Sequence, residues 1–153
     1  MVPEAVDPVL VVRLAQTDRD AAAIHAFLCA AAARAGALHC PVNPEKSMQE
    51  VWRIVHALDF AEGSATPYGF ALIAERGGEM VGTLGVICPE YWYGDQRFFT
   101  DRWLFAAPDP QREIGAALRA EAAALAREAG LSLVINLKQR AAGHMVYARS
   151  SVS

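Results

Sequence analysis

The sequence is poor in cysteine, and the cysteines that it has form no recognisable pattern. Its 153 residues include Cys29, Cys40 and Cys88. An odd number without a C-x-x-C spacing predicts neither a disulfide framework nor a zinc site. We expect each cysteine to be a small buried residue rather than a nucleophile, and we predict no metal site.

Long apolar runs and an excess of positive charge are absent as well. No run reaches membrane-spanning length, and the acidic opening MVPEAVDP lacks the features of a signal peptide. A formal net charge of −3 gives no basic footprint for nucleic acid. There is no repeat, low-complexity tract or linker. With 54% hydrophobic residues, we expect one cytoplasmic domain over residues 1–153, with neither membrane nor nucleic acid as a partner.

The most informative stretch is residues 97–137, whose pattern predicts a strand, a tight turn, a helix and a second strand. Aromatic and apolar residues at 98–105 suit a half-buried strand, and two prolines then end it. Apolar residues at spacings of three and four predict an amphipathic helix over residues 111–129. The almost wholly apolar segment 131–137 predicts a strand that is covered on both faces.

The start of this helix has two interpretations. First-turn amides lack intrahelical partners and the helix dipole favours negative charge, which indicates an anion site, most often for phosphate. However, Asp109 followed by Pro110 is a good N-cap with a first-turn proline. Its carboxylate could take the amides that a phosphate needs, and Arg112 would offset that charge only in part. The sequence alone leaves open a phosphate turn or an Asp-capped packing helix.

The other segments predict, in order, a strand, two helices, a β-hairpin and a last short helix, at residues 9–14, 17–34, 47–58, 68–75 with 80–88, and 138–149. Thr17 or Asp18 caps the first helix. Ser47 and Glu50 stand in capping-box relation at the start of the second. Between the hairpin and the central stretch lies an unusual loop, PEYWYGDQ, with three adjacent aromatic residues.

The segment PDPQREIGAALRAEAAALAREAG resembles the acyl-CoA binding segment of the GCN5-related N-acetyltransferases, the GNAT family. There a strand is followed by Arg/Gln-x-x-Gly-x-Gly/Ala and a long helix that ends in glycine. Arg112-x-x-Gly115-x-Ala117 fits the literal motif. Aligning Ile114-Gly115 with the family's Ile-Gly matches the apolar pattern better, but the turn is then one residue short and Glu113 replaces a glycine. Both registers are open.

The order of elements resembles the same family over residues 9–149. This implies a mixed α/β (α+β) fold with a mostly antiparallel central sheet flanked by helices, whose fourth and fifth strands splay to admit the pantetheine arm. Residues 78–87 resemble the family's third strand. Residues 140–149 resemble its Asn-x-x-Ala-x-x-x-Tyr segment, with Tyr147 in the tyrosine position.

The family continues beyond this point with a hairpin of two more strands. The sequence ends at Ser153, so we expect these C-terminal strands to be missing. One edge of the fifth strand would then be unpaired, which invites pairing with another chain. We therefore predict that this edge is covered either by a partner, such as the second copy of a homodimer, or by the N-terminal segment. The third alternative is a truncated gene, which would put activity in doubt.

The resemblance implies an N-acetyltransferase that moves an acetyl group from acetyl-CoA to an amine by direct attack in a ternary complex. The implied cofactor-binding residues are at the end of the fourth strand and in the turn: Leu104, Phe105, Ala106, Gln111, Arg112, Glu113, Ile114, Gly115, Ala116 and Ala117. Such transfer needs the amine to be positioned and deprotonated, and the leaving thiolate to be protonated. Tyr147 is the candidate proton donor, and Glu90 or Asp101 is the candidate base.

Aromatic residues are the candidates for the acceptor site. Tyr91, Trp92 and Tyr93 offer flat, partly polar surface, and Trp52 on the second helix is expected to face the same cleft. The acceptor is a small-molecule or peptide amine that the sequence does not identify. The alternative function is a catalytically degenerate GNAT-fold module that binds acyl-CoA or protein. A third interpretation is an unrelated α+β interaction domain.

Overall fold

The structure, a computed structural model, describes residues 8–35, 42–57, 69–89, 93–141 and 144–152, with side chains in these ranges except at 35, 136–141 and 144–152. Its elements are β1 Leu10–Leu14, α1 Asp18–Ala35, α2 Pro44–Val55, β2 Gly69–Arg76, β3 Glu79–Ile87, β4 Phe99–Ala106, α3 Glu113–Glu128, β5 Leu133–Ala141 and β6 His144–Val152.

One six-stranded sheet has the order β1-β2-β3-β4-β5-β6. All neighbouring strands are antiparallel except β4 and β5, which are parallel. The hairpin between β2 and β3 turns through Gly77 and Gly78, both with positive φ, as a tight two-residue turn requires. The mixed, mostly antiparallel sheet flanked by helices that the sequence predicted is confirmed.

Helices cover both faces of the sheet. On one face, α3 buries Ile114 and Leu118 against β2, β3, β4 and β5. On the other, α1 and α2 bury Ile24 and Ile54 together with Trp103 of β4. The indole nitrogen of Trp103 donates to a buried threonine hydroxyl at 3.1 Å, so the one polar atom of this side chain is satisfied. The two cores hold β4 between them.

Two glycines of β3 let its neighbours approach closely. A Cβ on Gly82 would lie 2.5 Å from Cγ2 of Ile114, and one on Gly85 would lie 2.4 Å from the indole of Trp103. Real Cβ atoms essentially never come that near another atom. Gly82 therefore sets how close the first turn of α3 lies to the sheet.

The helix predicted over residues 138–149 is wrong, because this segment forms the end of β5 and most of β6. The two strands pair antiparallel from Leu133↔Val152 to Ala141↔His144. Its Ala, Lys, Gln and Arg are good helix formers, but pairing along all of β5 outweighs local propensity. The expected unpaired edge of β5 is also wrong, since β6 pairs with it.

The capping predictions for α1 and α2 have different outcomes. At α1, Asp20 N donates to Thr17 Oγ1 at 3.0 Å and Thr17 N donates to the Asp20 carboxylate at 3.3 Å, so Thr17 is confirmed as the cap. At α2, Ser47 is not the cap. Asn43 accepts from the amide of residue 46 and Pro44 opens the helix, because Asn followed by Pro supplies both a cap and a fixed φ. The Ser47 hydroxyl instead contacts His25 Nε2 of α1 at 2.6 Å.

Candidate functional site

Strands β4 and β5 lie together for only two residue pairs. Phe99 pairs with Leu133 and Thr100 with Val134, after which the two described strands separate. Residues 103–106 of β4 pair with β3 on one side, and the described part of β5 does not pair with them on the other. The two strands thus splay, as the sequence resemblance implied, and the space beside the open edge of β4 is called the cleft below.

A β-bulge marks the place where the cleft opens. Along β4, Trp103 pairs with Gly85 and Asp101 with Val86, so Arg102 is the extra residue. A bulge bends its strand and increases the local twist, which turns β4 away from β5. The bulge also places Arg102 and Trp103 on the same side of the sheet, the side of α1 and α2.

An ion-pair cluster joins this bulge to α2. Glu50 Oε1 lies 3.2 Å from Arg102 Nε, and its other oxygen lies 2.7 Å from Arg53 Nη2. Both arginines are about half exposed, so we expect their contribution to stability to be small. Their effect is geometric, because the carboxylate of Glu50 fixes α2 beside the open part of β4.

Helix α3 begins at Glu113, two residues later than predicted. Arg112 precedes it in the left-handed conformation, with φ 57°, and its side chain makes no capping hydrogen bond. Asp109 Oδ2 instead accepts from the amide of Ile114 at 2.9 Å. Pro110 therefore lies before the helix, not in its first turn, and Asp109 caps α3 from three residues ahead of Arg112. The Asp-capped interpretation holds for this one amide.

The two amides on either side of Ile114 do not bond to Asp109. Among the described residues, the backbone nitrogens of Glu113 and Gly115 have no hydrogen-bond partner, whereas Ala116 N donates to Arg112 O. A Cβ on Gly115 would meet nothing within 4 Å, so nothing in the described protein blocks an approach to this turn. Unpaired first-turn amides are what an anionic group binds.

Acetyl-CoA fits these features, with Asp109 as the exception. The open edge of β4 suits the acyl and pantetheine part, and the amides of Glu113 and Gly115 suit the diphosphate. Arg112 is exposed at the same turn. The Glu113 carboxylate lies 3.3 Å from Arg76 Nη2, so part of its charge is offset. Only the Asp109 carboxylate occupies an amide that the diphosphate would use.

The remaining predicted cofactor residues surround the cleft and the turn. Leu104 packs on the α3 side of the sheet and Phe105 on the α1 and α2 side. Ala106 and Gln111 are exposed at the end of β4 and in the turn. In α3, Ile114 is buried, while Ala116 is exposed and Ala117 half-buried.

The predicted catalytic residues are not brought together by the described structure. Asp101 is half-buried on the α3 side of β4, and Thr100 Oγ1 lies 3.4 Å from its Oδ1. Tyr147 lies in β6 opposite Lys138, one strand beyond the cleft, because β5 separates β6 from β4. The catalytic role of each stays a prediction. Glu90 lies outside the described residues.

The predicted acceptor residues have equally mixed positions. Tyr93 is 70% exposed, and Tyr91 and Trp92 lie outside the described part of the chain. Trp52 Nε1 donates to Asp18 Oδ1 at 3.0 Å, and His56 Nε2 lies 2.7 Å from the same oxygen. This cluster joins the end of α2 to the start of α1. Trp52 also lines an open groove of about 530 Å³ along the outer face of α2.

Sequence reasoning missed the ion-pair cluster at the bulge. The sequence pattern indicates only a capping box for Glu50. The signal was the polar run Thr100-Asp101-Arg102, which interrupts the apolar residues of this strand. No local pattern links Glu50 to β4, because that contact depends on how α2 packs.

Comparison with known proteins supports the fold. No model of a protein family matches the sequence, and no curated protein matches it. A GNAT-family acetyltransferase from Streptococcus pneumoniae is similar at 16% identity, with 86% of this chain and 77% of that one covered and a TM-score of 0.59. A GNAT-family acetyltransferase from Brucella melitensis in complex with acetyl-CoA is similar at 19% identity, with 83% of this chain and 75% of that one covered and a TM-score of 0.56. An aminoglycoside acetyltransferase from an uncultured soil metagenomic sample is similar at 18% identity, with 88% of this chain and 82% of that one covered and a TM-score of 0.60.

The chain therefore has the fold of the GNAT acetyltransferases. Within the described ranges, no helix is long and apolar enough to cross a membrane. The same ranges contain no group of three His, Cys, Asp or Glu side chains arranged to hold a metal ion.

Proposed function

We propose that this protein is an acetyl-CoA-dependent N-acetyltransferase that acts on an amine. One observation carries the proposal: β4 stops pairing with β5 beside a bulge, and its open edge leads along the chain to the first turn of α3, where two amides have no described partner. An extended acyl arm and an anionic group placed one after the other would match that order. The Brucella structure with acetyl-CoA, which shares the fold, supports this choice of ligand.

Acetyl-CoA supplies the acyl thioester when it is bound. The open edge of residues 104–106 would hold the acyl and pantetheine part by backbone hydrogen bonds, in the manner of an added strand. The amides of Glu113 and Gly115 would bind the diphosphate, with the exposed Arg112 guanidinium beside them. These groups hold and orient the acyl donor, and proximity of this kind accounts for much of the rate of a two-substrate reaction.

The acceptor side of the proposal concerns protons. Asp101 or Glu90 would accept the proton of the acceptor ammonium, and the Tyr147 hydroxyl would donate a proton to the leaving thiolate. Trp52 and Tyr93 would offer aromatic surface to the acceptor amine. A neighbouring structure of an aminoglycoside acetyltransferase was solved with sisomicin, which makes aminoglycosides one class of amine to screen. Cytoplasmic location and a homodimer stay predictions.

Calorimetric titration of acetyl-CoA into the wild type and Gly115→Glu tests the donor site. A Cβ at Gly115 meets no protein atom, so the variant should fold, while its carboxylate would repel the diphosphate. We expect the wild type to bind acetyl-CoA with a micromolar dissociation constant, which corresponds to about 8 kcal/mol of binding free energy. The variant should not bind. No binding at millimolar acetyl-CoA would contradict the proposal.

Thiol release with a panel of amines then tests catalysis. We expect acetyl-CoA cleavage that depends on the amine, and a rate that falls about tenfold to a hundredfold in Tyr147→Phe with unchanged acetyl-CoA affinity. An unchanged rate would remove Tyr147 from the mechanism. Asp101→Asn is the parallel test of the base.

A second candidate is a module that binds acyl-CoA without catalysis. The bond from Ile114 N to Asp109 favours it, because the carboxylate competes for the diphosphate. Glu113 also replaces a glycine in one of the two motif registers. Such a module would bind acetyl-CoA in the titration, yet no amine in the panel would cause thiol release.

A further inference from the structure

We propose that Asp109 competes with the diphosphate of coenzyme A for the first turn of α3, so that the chain relies on the acyl and pantetheine part for affinity. This rests on the proposed function. It assigns to Asp109 a role in donor specificity.

The hydrogen bonds at the turn are the basis of this inference. Glu113, Ile114 and Gly115 present three consecutive amides at the start of α3. The outer two have no partner among the described residues, and the central one donates to Asp109 Oδ2 at 2.9 Å. A diphosphate that used all three amides would have to displace this carboxylate. With Asp109 in place, it would gain only two amides that are not adjacent.

The charges at the turn add to the effect. Asp109 forms no ion pair with any described residue, so its charge is offset by the helix start and one amide. Nη2 of Arg76 lies 3.3 Å from the carboxylate of Glu113, with which it forms an ion pair. A diphosphate would thus meet a carboxylate without a described cation partner close to its own oxygens, and like charges at such a distance repel.

The short turn explains why Asp109 can reach the helix. Arg112 takes the left-handed conformation, which is uncommon for a residue other than glycine. Its amide donates to Asp109 O at 3.1 Å, and this folds the chain back on itself between the two residues. The Asp109 side chain is thereby held over the first turn of α3, where a diphosphate would otherwise bind.

The test compares two ligands of which only one carries the diphosphate, together with its adenosine. Dephospho-coenzyme A and pantetheine are titrated calorimetrically into the wild type, Asp109→Asn and Asp109→Ala. We expect Asp109→Ala to bind dephospho-coenzyme A about tenfold more tightly than the wild type, which corresponds to about 1.4 kcal/mol. Asp109→Asn keeps a side-chain acceptor for the Ile114 amide and should gain less. Pantetheine affinity should stay within twofold in every variant.

Two control variants each remove one negative charge from α3 itself. Glu128→Gln lies in the last turn, about 20 Å from the first at 1.5 Å per residue, and should leave both affinities unchanged. Glu113→Gln lies in the first turn, but its carboxylate takes no described backbone amide. It should increase the affinity for dephospho-coenzyme A less than Asp109→Ala does. Thermal denaturation of the free proteins checks that each variant is folded.

The outcomes separate this inference from the proposed function. If the wild type binds pantetheine and dephospho-coenzyme A but no Asp109 variant gains affinity, the inference is overturned and the donor site stands. A gain of equal size in Glu128→Gln would also overturn it, because net charge would then be the cause. If no protein in the series binds either ligand at millimolar concentration, the proposed function fails and the inference fails with it.

Discussion

An aspartate accepts hydrogen bonds from backbone amides at the start of α1, where Thr17 is the cap, and another does so at the start of α3, but their surroundings differ. Asp20 is 9% exposed, accepts from the amides of Gln16 and Thr17, and receives both terminal nitrogens of Arg13 at 3.1 and 2.9 Å. Asp109 is half-buried and accepts from one amide, with no cation paired to it among the described residues.

The difference shows that an aspartate at a helix start can either tie the helix to the sheet or leave the helix start available to a ligand. The hydrogen bonds from Arg13 lower the pKa of Asp20 from 3.8 to about 2, and the same contacts raise the pKa of Arg13. Because Arg13 also pairs with Glu75 of β2, this cap ties α1 to the sheet. An aspartate without a cation holds its helix weakly and can be displaced by a ligand.

The largest effect should come from breaking the cap of α1. Asp20→Asn removes the charge that binds Arg13 but keeps a side-chain acceptor for the amides of residues 16 and 17. We expect the free energy of unfolding to fall by about 2–3 kcal/mol, as for lost hydrogen bonds to a charged group. Urea denaturation measures it, with Asp109→Asn as the matched variant. A fall of less than 1 kcal/mol would show that the two caps are equivalent.

The contribution of Asp20 should also depend on pH. Its pKa is lower in the folded protein, about 2, than the ordinary value of 3.8, so it stabilises the fold above the higher value and loses this effect as the pH falls. The stability difference between wild type and Asp20→Asn should thus be constant from pH 7 to about pH 5 and shrink by about 2 kcal/mol between about pH 4 and pH 2. A constant difference down to the lowest pH at which both proteins fold would contradict this assignment.

Two glycines test whether the first turn of α3 is packed against β3. Gly82→Ala places a methyl group 2.5 Å from Cγ2 of Ile114, so the first turn of α3 must move away from the sheet. We expect a loss of about 2 kcal/mol and weaker acetyl-CoA binding. Gly115→Ala meets no protein atom and should change stability by less than about 1 kcal/mol, in the favourable direction. Equal losses of stability would mean that this turn is not held against β3.

The smallest effect should be seen at the cap of α3. Asp109→Ala removes one capping bond, and the free protein should lose about 1 kcal/mol of stability. With saturating acetyl-CoA the loss should vanish or reverse, because the diphosphate then binds the amides that the carboxylate held. Thermal denaturation with and without ligand measures both. An identical loss in both states would show that the cap stays in place when the ligand is bound.

The sequence predicted the parts of this fold that depend on local chemistry. Hydrophobic periodicity gave α3 and the strands beside it, and Gly77-Gly78 gave the hairpin. The segment after β5 was predicted wrongly because its helix propensity is opposed by pairing with β5, which is not local. The start of α3 was placed two residues early for a similar reason. Pro110 suits a first turn, but the left-handed Arg112 moves it outside.

The candidate site divides in the same way. The motif around Gly115 located the turn, and the strand order predicted the cleft between β4 and β5. The bulge at Arg102 and its contact with Glu50 depend on the packing of α2 against the sheet, for which the sequence carries no local signal. The aromatic loop gave candidates for the acceptor site from composition alone, and of these only Tyr93 is placed by the described structure.

Amide hydrogen exchange with and without acetyl-CoA tests the central claim most directly, because it reports where the ligand binds. We expect new protection along residues 104–106, which pair with β3 but not with β5, and at Glu113 and Gly115, whose amides have no partner among the described residues. Residues 99–100 pair with β5 and should change little. Protection confined to the outer face of α2, or absent at saturating acetyl-CoA, would contradict a donor site between β4, β5 and the start of α3.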